Sequence, residues 1–332
     1  MKAILLTEAM NIEVTDVAKP TPAKGEVLVK VAASSINHRE LWIQKGLYPG
    51  MTVPCVLGAD GAGTVVELGE GSDPSWLDKE VIIYPAYDWG ASEKAPTRKF
   101  RVLGMPDPGT MAEYICVPVE NIVEKPKYLT WSEAAAIPVA GLTAWRALNR
   151  HGEIQKGDSV LITGIGGGVA QAGLSLALAL GAKVYVTSSS SDKIAFAQSI
   201  GAANGVNYKD EDWNNQLKEI SGGIDIVLDS SPSPILDNYF RFMNYGGRIV
   251  TYGSTGTPKT TINISKFFLR HIQFIGTAMG SPLEFKALLA FMEAHAIKPM
   301  IHSEFTLDEG QNAFDSLRSG KQIGKIVIKH IK

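Results

Sequence analysis

Residues 159–170, SVLITGIGGGVA, combine an apolar strand-like run with a glycine-rich turn and the start of an Ala-rich helix that ends before Gly181. Such a turn can hold a dinucleotide pyrophosphate because it bends tightly, brings the backbone close to the phosphates and keeps small residues where the helix crosses the strand. Gly164, Gly167 and Ala170 have the three-residue spacing that these roles require. We therefore predict that the turn residues bind a dinucleotide: Gly164, Gly166, Gly167, Gly168, Val169 and Ala170.

Strand-like and helix-like segments alternate after this turn. A second helix, predicted to be capped by Asp192, runs through Ile200 and ends at Gly201. Before the turn, residues 132–148 are Ala-rich and predict a helix in two pieces, broken by Pro138 and Gly141. Apolar, β-branched runs separated by helices indicate a parallel sheet covered on both faces, an α/β doubly wound sheet. The remaining predicted strands cover residues 183–187, 224–228, 248–252 and 273–276.

The first 120 or so residues have a different character, with short alternating strands punctuated by Gly and Pro. Residues 85–110 lack any clear period and form a predicted excursion from this β-rich domain. The last alternating run, residues 324–331, is predicted to return to it as a strand. We expect a β-rich domain at residues 1–120, a dinucleotide-binding domain at residues 121–297, and a returning segment at residues 298–332.

Composition excludes several classes of protein. The 332 residues carry a formal net charge of −2 with scattered Lys and Arg, so no nucleic-acid footprint is present. No run of 18 apolar residues predicts a membrane span. Two cysteines, Cys55 and Cys116, exclude a disulfide scaffold and any metal site made of three or four cysteines. The expected protein is cytoplasmic and binds neither nucleic acid nor membrane.

The end of the second predicted strand, Val186-Thr187, bears on the choice of cofactor. Sites that prefer NADH normally place an Asp or Glu here on the adenine-ribose hydroxyls. This chain continues instead with four serines, Asp192 and Lys193. Ser188, Ser189 and Lys193 could donate to a 2′-phosphate, so NADPH is the predicted cofactor, with a solvated Ser-rich loop as the alternative interpretation.

The chain resembles the medium-chain dehydrogenase/reductase superfamily, and within it the zinc-independent quinone oxidoreductase-like members, some of which are labelled zinc-type alcohol dehydrogenase-like. The resemblance implies a GroES-like β-rich domain completed by the C-terminal strand, a Rossmann domain, and an active site in the cleft. It covers essentially the whole chain and rests on residues 33–49 (ASSINHRELWIQKGLYP), 58–69 (GADGAGTVVELG), 140–148 (AGLTAWRAL), 164–170, 201–208 (GAANGVNY), 224–230 (IDIVLDS), 246–253 and the terminal GKIVI.

Zinc alcohol dehydrogenases of this superfamily carry metal ligands at positions that match Asn37, Ala59-Asp60 and the neighbourhood of Val139. A catalytic zinc needs three protein ligands, which an amide, a methyl and an isopropyl group do not supply. The 85–110 excursion also lacks the cysteines of the structural-zinc lobe. The prediction is that no metal is bound. A rebuilt site made from His38, Glu40, Cys55 and Asp60 is the alternative.

The predicted reaction is hydride transfer from NADPH to a quinone or conjugated enone, because the developing charge in these acceptors is delocalised and needs no metal Lewis acid. Asn37 and Tyr48 are the candidate hydrogen-bond donors to the nascent enolate. The resemblance implies that Thr143 lies near the nicotinamide. It also implies further cofactor contacts at Lys193, Tyr208, Gly253, Ser254, Ala278, Met279, Gly280 and Lys325.

Two other functions stay open at this stage. One is a zinc-type alcohol or aldehyde dehydrogenase with the rebuilt metal site, and the other is a non-catalytic NADPH-binding sensor. The resemblance also implies a homodimer that pairs through the Rossmann sheet, with residues 273–276 as the predicted edge. The sequence does not identify the physiological acceptor.

Overall fold

The computed structural model describes residues 1–232, 236–255 and 259–330. The chain divides into two compact units: unit 1 is Met1–Ala140 with Ser281–Lys332, and unit 2 is Gly141–Gly280. The division differs from the predicted one, which placed residues 121–140 and 281–297 with the dinucleotide-binding domain. Contacts within unit 1 explain the difference: the Tyr128 hydroxyl donates to the carbonyl of Ile297 at 2.9 Å, and the rings of Tyr84 and Phe285 lie 5.8 Å apart.

Unit 1 begins with short strands and two short helices. The alternating strands predicted for this part of the chain are present, among them strands at Glu26–Ile36, Asp60–Leu68 and Glu80–Ile83. In chain order the elements are β1 (Lys2–Leu6), β2 (Ile12–Asp16), β3 (Glu26–Ile36), α1 (His38–Gln44), β4 (Cys55–Val56), β5 (Asp60–Leu68), β6 (Glu80–Ile83), β7 (Ala86–Tyr87), β8 (Arg101–Val102), β9 (Tyr114–Pro118), β10 (Ile122–Glu124) and α2 (Trp131–Ala135).

Unit 2 alternates strands and helices, as predicted. Its elements, with α3 crossing the boundary between the units, are α3 (Pro138–Arg146), β11 (Ser159–Ile162), α4 (Gly168–Ala179), β12 (Lys183–Ser188), α5 (Ser191–Ser199), β13 (Asn204–Asn207), α6 (Trp213–Ser221), β14 (Ile224–Asp229), β15 (Met243–Thr251), α7 (Ile264–Leu269) and β16 (Gln273–Gly276). The strands form one parallel sheet in the order β13-β12-β11-β14-β15-β16. This is the doubly wound Rossmann order, in which a ligand binds at the carboxyl ends of the strands beside β11.

The chain then returns to unit 1 through α8 (Pro282–Ala294), β17 (Ile301–Thr306), α9 (Gly310–Arg318) and β18 (Lys325–Lys329). The predicted returning strand is confirmed: β18 pairs antiparallel with β3, placing Ile326 opposite Ile36. The main sheet of unit 1 runs β10-β6-β5-β3-β18-β17, with β9 also paired to β3. This pairing brings the C-terminal strand beside the start of α1. Among the described residues, no helix combines the length and the apolarity needed to cross a bilayer.

Two local predictions are wrong. The cap of α5 is Ser190, whose hydroxyl accepts from the Lys193 amide at 3.4 Å, and Asp192 lies exposed in the first turn of the helix. Gly141 does not break the helix that starts at Pro138, because α3 continues through it to Arg146. A single glycine costs a helix only about 1 kcal/mol, and burial of neighbours such as Leu142 and Ala144 offsets that cost.

Candidate functional site

The glycine-rich turn of unit 2 has the geometry of an anion site. Gly164 follows β11 with a φ of 62°, a left-handed conformation that favours glycine. Gly167 immediately precedes α4 and has no side chain to cap it, so the first amides of this helix stay available to a ligand. Among the residues that the structure describes, a Cβ added to Gly167 would meet only the Gly164 carbonyl, at 3.6 Å, so these residues leave the space above Gly167 open. The turn therefore fits a dinucleotide pyrophosphate.

A further glycine in α4 serves the packing of this turn and was missed in the sequence. Ala170 is buried, as expected where the helix crosses the sheet. The closest approach lies one turn later, because a Cβ on Gly173 would come within 2.9 Å of Leu228 and 3.5 Å of Ile162. The signal in the sequence is the GxxxxxG spacing from Gly167 to Gly173. The predicted pattern of small residues at three-residue spacing ends at Ala170 and so does not include Gly173.

The end of β12 brings together four of the residues predicted to bind the cofactor. Ser188 is buried, and its hydroxyl accepts from the amide of Ser190. The amide of Tyr208 donates to the Ser188 carbonyl at 3.2 Å, and the Tyr208 side chain is exposed. Lys193 lies on α5 with its ammonium partly desolvated, which lowers its pKa. Ser189 is exposed at the same loop. The exposed Asp192 is a carboxylate that any phosphate bound here would have to avoid.

The remaining predicted cofactor residues of unit 2 follow the neighbouring strands. Gly253, after β15, lies against the end of β14, since an added Cβ would be 3.0 Å from the Ser230 carbonyl. Ser254 is exposed. After β16 the chain passes through Ala278, Met279 and Gly280, with Met279 in a left-handed conformation at a φ of 58°. These residues stay predictions, as does Thr143, a buried residue of α3.

A buried carboxylate, Asp60, holds the candidate catalytic residue Asn37 in unit 1. Asp60 is fully buried at the start of β5. One oxygen, Oδ1, accepts from the amide of Val139 at 2.8 Å. The other, Oδ2, accepts from Asn37 Nδ2 at 2.9 Å and from Lys325 Nζ at 3.0 Å, and it lies 2.9 Å from the Ser35 hydroxyl. The positions matched to zinc ligands in relatives therefore do meet in space, but around an ion pair.

Tyr48, the second predicted donor, is held by Arg39. The guanidinium carbon lies 4.7 Å from the centre of the Tyr48 ring. Arg39 also donates to Glu40 Oε1 at 2.9 Å and to the Leu103 carbonyl at 2.7 Å. The hydrogen bond from Arg39 to Leu103 connects the start of α1 to the segment after β8, which lies within the predicted excursion. Arg39 was not singled out in the sequence, where nothing distinguishes it from a solvated basic residue.

The side chains of the alternative metal site do not fit a zinc ion. Glu40 is fully buried and its oxygens accept from the Asn37 amide and from Arg39. The Cys55 thiol lies 3.6 Å from the carbonyl oxygen of Pro106 and 3.5 Å from that of Asp107, and burial raises its pKa to about 11. Asp60 is paired with Lys325. In the described parts of the chain, no three His, Cys, Asp or Glu side chains are grouped so as to hold a metal.

Comparisons with known proteins agree with this fold. A model of the alcohol dehydrogenase GroES-like domain matches residues 23–127, and a model of the zinc-binding dehydrogenase matches residues 168–294. A zinc-type alcohol dehydrogenase-like protein of Leptosphaeria maculans is 35% identical, over 96% of this chain and 94% of that protein. This chain belongs to the medium-chain dehydrogenase/reductase superfamily.

The superfamily consists of oxidoreductases that use nicotinamide cofactors and act on small molecules, and its fold is the one described above. Human quinone oxidoreductase is 28% identical, over 99% of this chain and 97% of the human protein. The crystal structure of an NAD-dependent alcohol dehydrogenase superposes with a TM-score of 0.93, at 31% identity and full coverage of both chains. The superfamily thus includes proteins named for different substrates, and the substrate of this chain has to be argued from its own residues.

Proposed function

We propose that this medium-chain oxidoreductase uses NADPH to reduce a quinone or a conjugated enone without a catalytic metal. The observation that carries the proposal is the ion pair of Asp60 and Lys325 where zinc-dependent relatives have metal ligands. A simple ketone needs strong stabilisation of the alkoxide it becomes, which zinc supplies in those relatives. A quinone or enone spreads the same charge over a conjugated system, so positioning and hydrogen bonds suffice.

In this reaction the bound NADPH supplies a hydride, and water supplies the proton that completes the two-electron reduction. The turn at Gly164 and Gly167 would hold the pyrophosphate through the amides at the start of α4. Asn37 would donate a hydrogen bond from Nδ2 to the oxygen on which negative charge develops. Tyr48, stacked on Arg39, is the second candidate donor. Neither residue transfers a proton in this scheme.

The preference for NADPH rests on the loop after β12. Ser188 ends the strand where NADH-preferring sites carry an acidic residue, and Lys193 lies in the first turn of α5. A phosphate ester gains more than a free hydroxyl from a nearby ammonium. The exposed Asp192 acts in the opposite direction, so the selectivity depends on Lys193.

Lys193→Ala tests this assignment. We expect the Kd of NADPH to rise by about tenfold, the effect of losing one charge-assisted contact, and the Kd of NADH to change less than about twofold. Both can be measured by quenching of protein fluorescence. The exposed Lys183→Ala, at the other end of β12, is the matched control. Equal losses for both cofactors would contradict a 2′-phosphate contact at Lys193.

We also propose that the chain forms a homodimer through the edge of the unit 2 sheet. Within the described residues, β16 pairs only with β15, which leaves its outer edge open. Several large apolar side chains are exposed on this strand and before it, and an open edge beside such side chains favours association. They are Tyr245, Ile264, Phe268, Leu269 and Phe274.

A further inference from the structure

Lys325 is enclosed by unit 1 rather than turned toward a ligand. It begins β18 and is only 4% exposed. Its ammonium lies 2.9 Å from the Ile36 carbonyl and 3.0 Å from Asp60 Oδ2, and it also donates to Asn37 Oδ1. An ammonium has three hydrogens. Each of these three hydrogens has an acceptor among the described residues. Lys325 therefore has no hydrogen left to donate to the cofactor, the contact predicted for it.

These contacts determine which way the Asn37 amide faces. Lys325 can only donate, so the atom beside it is Oδ1, and the Asp60 carboxylate accepts, so the atom beside that is Nδ2. One Nδ2 hydrogen is used by Asp60. The second is left for an acceptor outside this cluster. Asn37 is therefore held as a single-hydrogen donor of defined orientation.

We propose that Lys325 is a positioning residue for the reduction, which holds and polarises the Asn37 amide so that its remaining Nδ2 hydrogen binds the acceptor oxygen more strongly. This inference rests on the proposed function. A cation on an amide oxygen draws electron density from the nitrogen and makes its hydrogens better donors, and the effect is larger where water is excluded. Asp60 balances the charge of Lys325, so the polarisation comes from direct contact and not from a net charge.

A catalytic metal would contact the acceptor oxygen directly, whereas Lys325 does not. The acceptor oxygen contacts the Asn37 amide, and the cation acts through that amide. No bond is made or broken at Lys325 or Asn37, and both keep their protons throughout the turnover. Removal of Lys325 should therefore affect the reaction only while Asn37 is present.

A double-mutant cycle in the full-length chain tests this dependence. The acceptor is tetramethyl-1,4-benzoquinone, which has no open ring position for addition of a thiol. Lys325→Gln is expected to lower kcat by about 10- to 100-fold, which does not exceed the effect of removing one hydrogen-bond donor from an oxyanion site. The KM of the quinone and the Kd of NADPH should stay within about threefold of the wild-type values. In an Asn37→Ala background the same substitution should change kcat by less than about threefold.

Lys325→Gln leaves Asp60 buried without its cation and can fail to fold, so Asp60→Asn/Lys325→Gln is the second variant. Its neutral amides preserve the shape of the pair, and we expect the same loss of kcat. Lys325→Arg should recover part of it, because it keeps the cation with a different reach. A loss of kcat that is equal with and without Asn37, or a tenfold rise in the Kd of NADPH, would overturn the proposal.

A readout that needs no activity separates this inference from the proposed function. In protein labelled with ¹⁵N-asparagine, the Asn37 side-chain signals are identified by their loss in Asn37→Ala. We expect them to shift in Lys325→Gln and to stay in place in Lys329→Gln, an exposed lysine on the same strand that pairs with Glu304 at 3.3 Å. Absence of quinone and enone reduction in the wild type would contradict the proposed function alone, whereas unmoved Asn37 signals would overturn the role of Lys325.

Discussion

Gly167 and Gly173 lie less than two helical turns apart, but a methyl group added to each would meet different surroundings. At Gly167 the nearest protein atom is the Gly164 carbonyl oxygen at 3.6 Å, an ordinary contact. At Gly173 the methyl group would press on Leu228 at 2.9 Å in the buried face of α4. The first glycine thus leaves room for a ligand, and the second leaves room for the sheet.

Gly167→Ala should therefore weaken cofactor binding without unfolding the protein. We expect the Kd of NADPH to rise at least tenfold, because the methyl group occupies space that the pyrophosphate needs, and the free energy of unfolding to change by less than about 1 kcal/mol. Gly173→Ala is the matched control. It should lower the free energy of unfolding by about 1 kcal/mol through overpacking and leave the Kd unchanged.

Calorimetric titration and urea unfolding measure both quantities. An unchanged Kd in Gly167→Ala would mean that the cofactor does not approach this turn.

The residues around Asp60 show where sequence reasoning stopped. Asn37 was found from its place in a familiar pattern, but its partners were not, because Lys325 lies 288 positions away along the chain. The cofactor contact predicted for Lys325 likewise rests on its place in a familiar pattern. The pairing of β18 with β3 places its ammonium beside Asn37 instead. The alternation of residues 324–331 predicts a strand that returns to the β-rich domain, but the partner strand and the register of the pairing leave no periodic or local signal in a single sequence.

At the scale of elements, the strands and helices of unit 2 were predictable because each has a strong local pattern. Apolar β-branched runs mark β11, β12 and β14, and glycines follow the ends of α4 and α5. The cap of α5 was misplaced because Ser190 and Asp192 are both good caps, and only the path of the backbone selects one. Similarly, the assignment of α8 to unit 1 depends on packing of its buried face, as between Phe285 and Tyr84.

The open edge at β16 leads to a prediction about assembly. Phe268→Glu/Leu269→Glu should convert the dimer to monomers at micromolar concentration, because buried carboxylates would lack partners at the apolar interface. Since both side chains are exposed in the single chain, its folding should be unaffected.

Leu283→Glu, an equally exposed leucine on α8, is the control for added charge. Sedimentation equilibrium gives the mass directly. A double variant that remains dimeric would place the interface elsewhere, and a monomeric wild type would remove the homodimer proposal.

At the scale of the whole molecule, the end of β18 ties the last described residues into unit 1 through a neutral histidine. His330 Nδ1 lies 3.0 Å from the Ala112 carbonyl and must donate to it, which leaves Nε2 to accept from the Ser34 hydroxyl at 2.9 Å. Burial lowers the pKa of His330 to about 4. An imidazolium has no acceptor nitrogen for Ser34.

The free energy of unfolding should therefore decrease as the pH falls, because His330 becomes protonated. The unfolded chain binds a proton at His330 below about pH 6.5, whereas the folded chain does so only near pH 4, so the stabilising contribution is full above pH 6.5 and is lost as the pH falls to 4. The loss approaches about 3 kcal/mol. His330→Asn should flatten the wild-type slope of unfolding free energy between pH 6.5 and 4, measured with urea. Identical slopes in the two proteins would contradict a neutral His330 in the folded chain.

The most direct test of metal-free, NADPH-dependent reduction is the consumption of NADPH, followed by nicotinamide absorbance, with quinones, enones and simple ketones in excess chelator. We predict turnover of quinones or enones that chelation does not reduce, with NADPH preferred to NADH, because Asn37, Asp60 and Lys325 leave the reaction independent of a metal. Activity toward simple ketones alone, abolished by chelator and restored by zinc, would contradict it. No turnover with any acceptor, despite tight binding of NADPH, would also contradict it and would indicate a binding or sensing role.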